Sequence, residues 1–187
     1  MTGPPTTPVE REAPGVRVRA ATAGDADAIC RIYNQGIEDR VATLETELRT
    51  PEERRRWLAA RDARHPVIVA EDTGSGPPTV LGWGSLNAFN PREAYRYVAD
   101  FSIYVERGAR GRGVGRAMLA CLIELARAHG YHKLVLSAFP TNASGMALYT
   151  GLGFRTVGVY REQGRLDGRW VDTVVMEKLL DEGAGSS

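Results

Sequence analysis

The six residues Arg110-Gly111-Arg112-Gly113-Val114-Gly115 are the first place where the chain suggests chemistry. Glycines let a backbone turn sharply and bring its N–H groups close to a ligand. Behind the loop, Met118, Leu119, Leu122, Leu125 and Ala126 recur at helical spacing as far as Gly130. A helix that opens on such a loop offers unpaired N–H groups and a partial positive charge, which together suit a phosphate. Two common phosphate loops are excluded. A Walker-type loop needs Gly-Lys-Ser/Thr, which Val114-Gly115-Arg116 lacks. A dinucleotide fold sets its glycines after the first strand, whereas this loop lies past mid-chain.

Asp100 is the second chemical candidate. Along the strand expected at 97–105, Tyr97, Ala99, Phe101, Ile103 and Val105 share an apolar face, and Val98, Asp100, Ser102 and Tyr104 share the other. A carboxylate in a central strand must be paired or stand at an opening. One reading is a salt bridge to a nearby arginine. The other is a general base, acting directly or through water, that takes the proton of a substrate ammonium. An ordinary aspartate pKa of roughly 3.9 is low for that task, so desolvation or a bridging water has to help. Arg92 and Tyr95 precede this strand. Arg92 is either a bidentate ligand for a carboxylate or phosphinate or a solvated surface residue. His65, His129 and His132 show neither triad nor metal-ligand spacing.

The elements that hold these groups are legible from pattern. A strand at 16–20 leads to a helix capped by Thr22 or Asp25, with Ala26, Ile29, Cys30 and Tyr33 on its apolar face. Thr50-Pro51-Glu52-Glu53 opens a second helix, with a cap, a first-turn proline and acidic residues at the positive end. Strands at 67–71 and 79–86 form a hairpin. After 97–105 come a helix at 115–129, a strand at 134–139, a helix at 142–152, and two strands around Asp167-Gly168. The order βααβββαβαββ implies an α/β (α+β) fold with a mixed, mostly antiparallel central sheet flanked by helices. Residues 1–15 read as a disordered Pro/Thr-rich arm, 16–180 as one domain and 181–187 as a tail.

Composition narrows the partners. A formal charge of +1 makes no electrostatic case for nucleic acid or an anionic membrane, and no apolar run is long enough to span a bilayer. The N-terminal residues lack the charged start and apolar stretch of a signal peptide, so a cytoplasmic location is expected. Cys30 and Cys121 read as buried structural thiols, and no metal is expected.

Two motifs in order carry a resemblance. Tyr104-Val105 followed by Arg110-x-x-Gly113-x-Gly115 resembles the pyrophosphate motif of the GNAT superfamily of N-acetyltransferases. Asn142 with Ala147-Leu148-Tyr149-x-x-Leu152-Gly153-Phe154 matches a second motif at the spacing that superfamily uses. The resemblance spans about 16–180 and implies the acyl-CoA N-acyltransferase fold, with a V-shaped opening between two parallel strands for the pantetheine arm of acetyl-CoA. It assigns the backbone of Ile103, Tyr104 and Val105 to that arm, Arg110, Gly111, Arg112, Gly113, Val114, Gly115 and Arg116 to the pyrophosphate, and Asn142 to the cofactor. Tyr149 becomes the proton donor to the CoA thiolate, and Tyr33, Asn34 and Ile37 a wall of the acceptor site.

Arg92-x-Ala94-Tyr95 through Asp100 to Val105, with Gly164-x-x-x-Gly168-x-Trp170-x-Asp172, is similar to the branch that acetylates phosphinothricin and methionine sulfoximine and includes arsinothricin-resistance enzymes. That branch usually has glutamate where this chain has Asp100, one methylene shorter, which favours a water relay. Trp170 and Asp172 read first as hairpin packing and a turn-bracing bond. The expected activity is direct acetyl transfer from acetyl-CoA to a small amino-acid-like amine, with Arg92 and Tyr95 as acceptor contacts, in a homodimer. The alternatives are a polyamine, another amino acid or a protein N-terminus as acceptor, and a non-catalytic acyl-CoA sensor.

Overall fold

The computed structural model describes residues 10–180 apart from residue 75. The strands are β1 (Glu10–Ala13), β2 (Val16–Ala20), β3 (Val67–Asp72), β4 (Val80–Ala88), β5 (Val98–Val105), β6 (Lys133–Ala138), β7 (Arg155–Leu166) and β8 (Arg169–Leu179). They form one sheet in the order β1-β2-β3-β4-β5-β6-β8-β7, and every neighbouring pair is antiparallel except β5 with β6. The helices are α1 (Ala26–Glu38), α2 (Pro51–Ala59), α3 (Val114–Ala128) and α4 (Ala143–Gly151). This is the expected mixed, mostly antiparallel sheet flanked by helices.

β1 departs from the expectation, since it lies inside the stretch read as an arm. Glu10-Arg11-Glu12-Ala13 has no apolar alternation to betray a strand. It pairs with β2 across a turn at Gly15, whose φ of 75° suits glycine, and ion pairs Arg17–Glu10 and Arg11–Glu124 brace it. The remainder of the arm, 1–9, and the tail, 181–187, lie outside the described residues.

Local rules explain the helix starts. Thr50 Oγ1 accepts from the Glu53 N–H (3.2 Å), while the Glu53 carboxylate accepts from the Thr50 N–H (2.7 Å), a closed capping box. Asn142 Oδ1 accepts from the Gly145 N–H (2.9 Å) and caps α4.

The sheet has a core on each face. Leu86, Ala99, Phe101, Leu134 and Met176 pack with Met118, Leu119 and Leu122 of α3. On the other face Ile29, Tyr33 and Ile37 of α1 pack with Val67, Val69 and Trp83. The alternation expected of β5 holds from Ala99 to Val105, but Tyr97 lies before the strand, 47% exposed, with the Arg96 guanidinium over its ring.

Between β4 and β5 the α1-side face grades from apolar to polar along facing pairs. Trp83 stands opposite Tyr104, Ser85 opposite Ser102 and Asn87 opposite Asp100. The two central strands then part. β5 is in register with β6 only from Val98–Lys133 to Asp100–Val135, while β6 continues against β8 as far as Ala138.

Candidate active site

The parting of β5 and β6 opens a cavity of about 540 Å³. One wall is the stretch Ile103, Tyr104 and Val105, which has β4 on one side and no strand partner on the other. Backbone groups on that free edge need a hydrogen-bonding partner, and an extended ligand arm supplies one. The opposite wall is Thr141, Asn142, Ala143, Ser144, Gly145, Leu148 and Tyr149 at the start of α4 and along it.

The floor is the glycine loop, with Arg110, Gly111, Gly113, Val114, Gly115 and Arg116 all lining the cavity. Gly113 takes φ 83° immediately before α3, a conformation that side chains disfavour. No heavy atom lies within 4 Å of where a Cβ on Gly113 would stand, so the loop presents bare backbone to the cavity. Unlike α2 and α4, α3 has no side-chain cap. The first amides of α3 are therefore free for an anion, and they point from the positive end of a fifteen-residue helix.

Two arginines of the loop turn their guanidinium groups to carboxylates. The Arg112 guanidinium reaches away to Asp72 (3.5 Å), and Arg112 is not among the residues that line the cavity. Arg110 lines it, but its guanidinium is held by Asp39 (2.6 Å). Arg107 joins the same carboxylate (2.7 Å), and the two cations keep Asp39 below the ordinary carboxylate range, Arg107 contributing most. The Arg107 and Arg110 pairs fasten the loop to the end of α1.

Asp100 sits at the last residue before the strands part. Among the described residues it has no ion pair, which removes the salt-bridge reading. Asn87 Nδ2 donates weakly to its Oδ1 at 3.5 Å and to Ser102 Oγ at 3.2 Å. Burial pushes the carboxyl up to about 6, against the opposing pull of the Asn87 hydrogen bond. A carboxylate with that proton affinity is a serviceable base near neutral pH. Tyr149 faces the same space from α4. Its ring meets Phe101 edge-on at 6.0 Å, and burial, with the charge of Asp100 as a lesser cause, raises its phenol above the ordinary value. Tyr149 thus keeps its proton and can donate it.

An uncapped helix start, a free strand edge, a buried carboxyl and a buried phenol surround one wedge. Residues 28–154 match the family model described as acetyltransferase (GNAT) family. The chain belongs to that family. An L-methionine sulfoximine/L-methionine sulfone acetyltransferase of Pseudomonas paraeruginosa is 33% identical over 88% of this chain and 94% of its own. A crystal structure of a phosphinothricin acetyltransferase from Sinorhizobium meliloti in complex with acetyl-CoA superposes with TM-score 0.83, at 32% identity, covering 92% of each chain. A ribosomal-protein-alanine N-acetyltransferase from Brucella melitensis superposes with TM-score 0.81, at 37% identity, covering 87% of this chain and 98% of its own. This GNAT protein is an acetyl-CoA-dependent N-acetyltransferase.

The expected acceptor residues separate into two groups in the GNAT framework. Tyr33 and Ile37 are buried in the α1-side core, and Asn34 braces the loop before α2, donating to the Arg49 carbonyl and accepting from its N–H at 2.9 Å each. They are not among the residues lining the cavity at the glycine loop. Ile29, Ile32, Tyr33 and Ile37 all belong to the core between α1 and the sheet, and Ile32 with Gly36 also borders the cavity. Gly36 could not be larger there, since a Cβ would come within 2.8 Å of the Tyr104 ring. Arg92 and Tyr95 flank a separate cavity of about 210 Å³ at the Asp100 end of β5, shared with Arg64, Phe89, Arg96 and Tyr131.

Sequence reasoning passed over Asn87, whose pairing with Asp100 depends on strand register, and the small residues 143–145 beside the cleft. Both thiols are buried and free, Cys121 raised to about 11 and Cys30 raised also, chiefly by burial. Neither supplies a thiolate near the cleft. No group of three or more His, Cys, Asp or Glu among the described residues could hold a metal, and no described helix is long and apolar enough to cross a membrane.

Proposed function

We propose that the protein transfers acetyl directly from acetyl-CoA to the α-amine of a small amino-acid-like acceptor of the phosphinothricin or methionine sulfoximine type. The observation that carries this reading is Asp100. It is the ionisable carboxylate at the point where β5 and β6 part, raised to about 6, with a protonated phenol nearby. Asp100 takes a proton from the acceptor ammonium, directly or through a water. The freed amine attacks the thioester carbonyl, the C–S bond breaks as the departing thiolate takes the Tyr149 proton, and the surplus proton on the new amide nitrogen returns to the Tyr149 phenolate, directly or through water. Backbone of Ile103, Tyr104 and Val105 aligns the pantetheine arm, and the amides from Gly111 to Arg116, with Asn142, hold the cofactor.

Arg92 and Tyr95 contact the acceptor, the guanidinium taking a carboxylate or phosphinate through paired hydrogen bonds. Their position at the Asp100 end of β5, away from the glycine loop, supports an acceptor that enters from the side opposite the cofactor phosphates. A role in herbicide or antibiotic resistance follows if such acceptors are used in the cell. The two buried free thiols fit a reducing, cytoplasmic compartment. The working unit is a homodimer, supported by Val157, Val159, Tyr160 and Trp170, each over half exposed on the hairpin of the edge strand β7 and its neighbour β8.

A protein N-terminus is the second reading, favoured by the likeness to the ribosomal-protein-alanine acetyltransferase. A thiol-release assay across phosphinothricin, methionine sulfoximine, glutamate, spermidine and alanine-led peptides separates the two. The amino-acid analogues are expected to give the highest kcat/KM. Faster turnover of peptide or polyamine would overturn the acceptor assignment and leave the acetyltransferase activity standing.

A further inference from the structure

Arg61 lies outside the cofactor cleft, yet its guanidinium is committed to the strand that faces the base. Its Nε donates to the His65 carbonyl (2.8 Å), and Nη2 donates to the Leu86 carbonyl and to Asn87 Oδ1 (3.1 Å), with the Trp57 ring 5.1 Å away. A guanidinium has donors and no acceptor, so only the oxygen of the Asn87 amide can face it. Ser85 Oγ donates to that same oxygen (3.0 Å). The Asn87 NH2 is thereby turned the other way, toward Asp100 and Ser102.

We propose that Arg61 is a positioning residue for the acetyl transfer: by holding the Asn87 oxygen, it keeps the Asn87 NH2 donating to Asp100. The inference rests on the reading of Asp100 as the base. Without Arg61, the Ser85 hydroxyl alone holds the amide oxygen, the NH2 is less firmly aimed at Asp100, and a donor that favours the charged form is weakened. The groups facing Asp100 are few. Asn87 approaches from β4, Ser102 stands on its own strand, Val135 is in register on β6, and Tyr149 is the ionisable group that feels its charge from α4.

The test is the pH dependence of kcat/KM at saturating acetyl-CoA in a double-mutant cycle. In the wild-type enzyme the acid limb falls near the Asp100 value of about 6. Arg61→Met should move it upward by about 0.5–1 pH unit, with acetyl-CoA affinity unchanged, and Asn87→Leu should move it the same way. In the Asn87→Leu background, Arg61→Met should add nothing. An unmoved limb in Arg61→Met overturns the proposal. So does an equal increment in both backgrounds, which would mean that the cation acts through space. If Arg61→Met does not fold, Arg61→Lys carries the same cycle, with a smaller shift in the same direction expected from the loss of the fork. Asp100→Asn separates the layers. If it retains normal turnover and the acid limb, the base reading fails and the proposal with it. If it loses turnover while Arg61→Met leaves the limb in place, the positioning role alone fails.

Discussion

At Asp100 burial favours the protonated carboxyl and the Asn87 amide favours the carboxylate, with burial the larger effect. Asp100→Asn should therefore lower kcat by roughly 10² to 10⁴ with acetyl-CoA affinity nearly unchanged, measured by steady-state kinetics and calorimetry. It should also change stability with a definite sign. A carboxyl whose folded pKa exceeds its unfolded value contributes stability below the unfolded value, and that contribution is lost as pH rises through about 6. Wild-type protein should thus lose on the order of 2–3 kcal/mol relative to Asp100→Asn between pH 3.5 and 7.5, by chemical denaturation. Tyr149→Phe should slow turnover without loosening acetyl-CoA. The face of β5 that bears Asp100 was legible from alternation alone, because period two needs no partner strand. Asn87 and Arg61 were not, because pairing register and a helix-following loop bring them there from 13 and 39 residues away. Asp172 shows the opposite case: its Oδ1 accepts the N–H of Glu162, a residue at φ 51°, at 2.7 Å, as the bracing reading expected.

For elements, the start of α3 is the sharpest case. Gly113 has positive φ and open space where a side chain would go. Gly113→Val should fold with some loss of stability and fail to be stabilised by acetyl-CoA, whereas wild-type protein gains by mass action in a thermal shift measurement. An undiminished shift in the variant would remove the loop from the site. Thr50→Ala opens the capping box of α2, far from the loop, and should cost about 1 kcal/mol with kinetics little changed. Helix starts were readable because caps and first-turn residues are local. The residues of α1 that border the cavity were harder to read, because Ile29, Ile32, Tyr33 and Ile37 all share one apolar core, and Ile32 with Gly36 reaches the cavity as well. β1 escaped notice since ion pairs and an edge position, not apolar alternation, hold it.

For the whole molecule, the sheet joins two functions through one topological event. β5 and β6 are the parallel pair, and their parting yields the free edge of β5, the cavity beside it and the station of Asp100, where the proposed mechanism sets the cofactor arm and the thioester. The edge strand β7 is long and exposes Val157, Val159 and Tyr160, so Val159→Glu should shift sedimentation toward a monomer. A species that is monomeric before the substitution would refute the dimer. The central claim, direct transfer within this wedge, is tested most directly by one single-turnover measurement. Enzyme, acetyl-CoA and phosphinothricin are mixed, quenched and followed by mass spectrometry of both protein and small molecules. The account predicts free CoA and N-acetylated acceptor rising together in equal amounts, with the protein mass unchanged throughout. An acetyl group appearing on the protein before the acceptor, or CoA released with no acetylated amine, would contradict it.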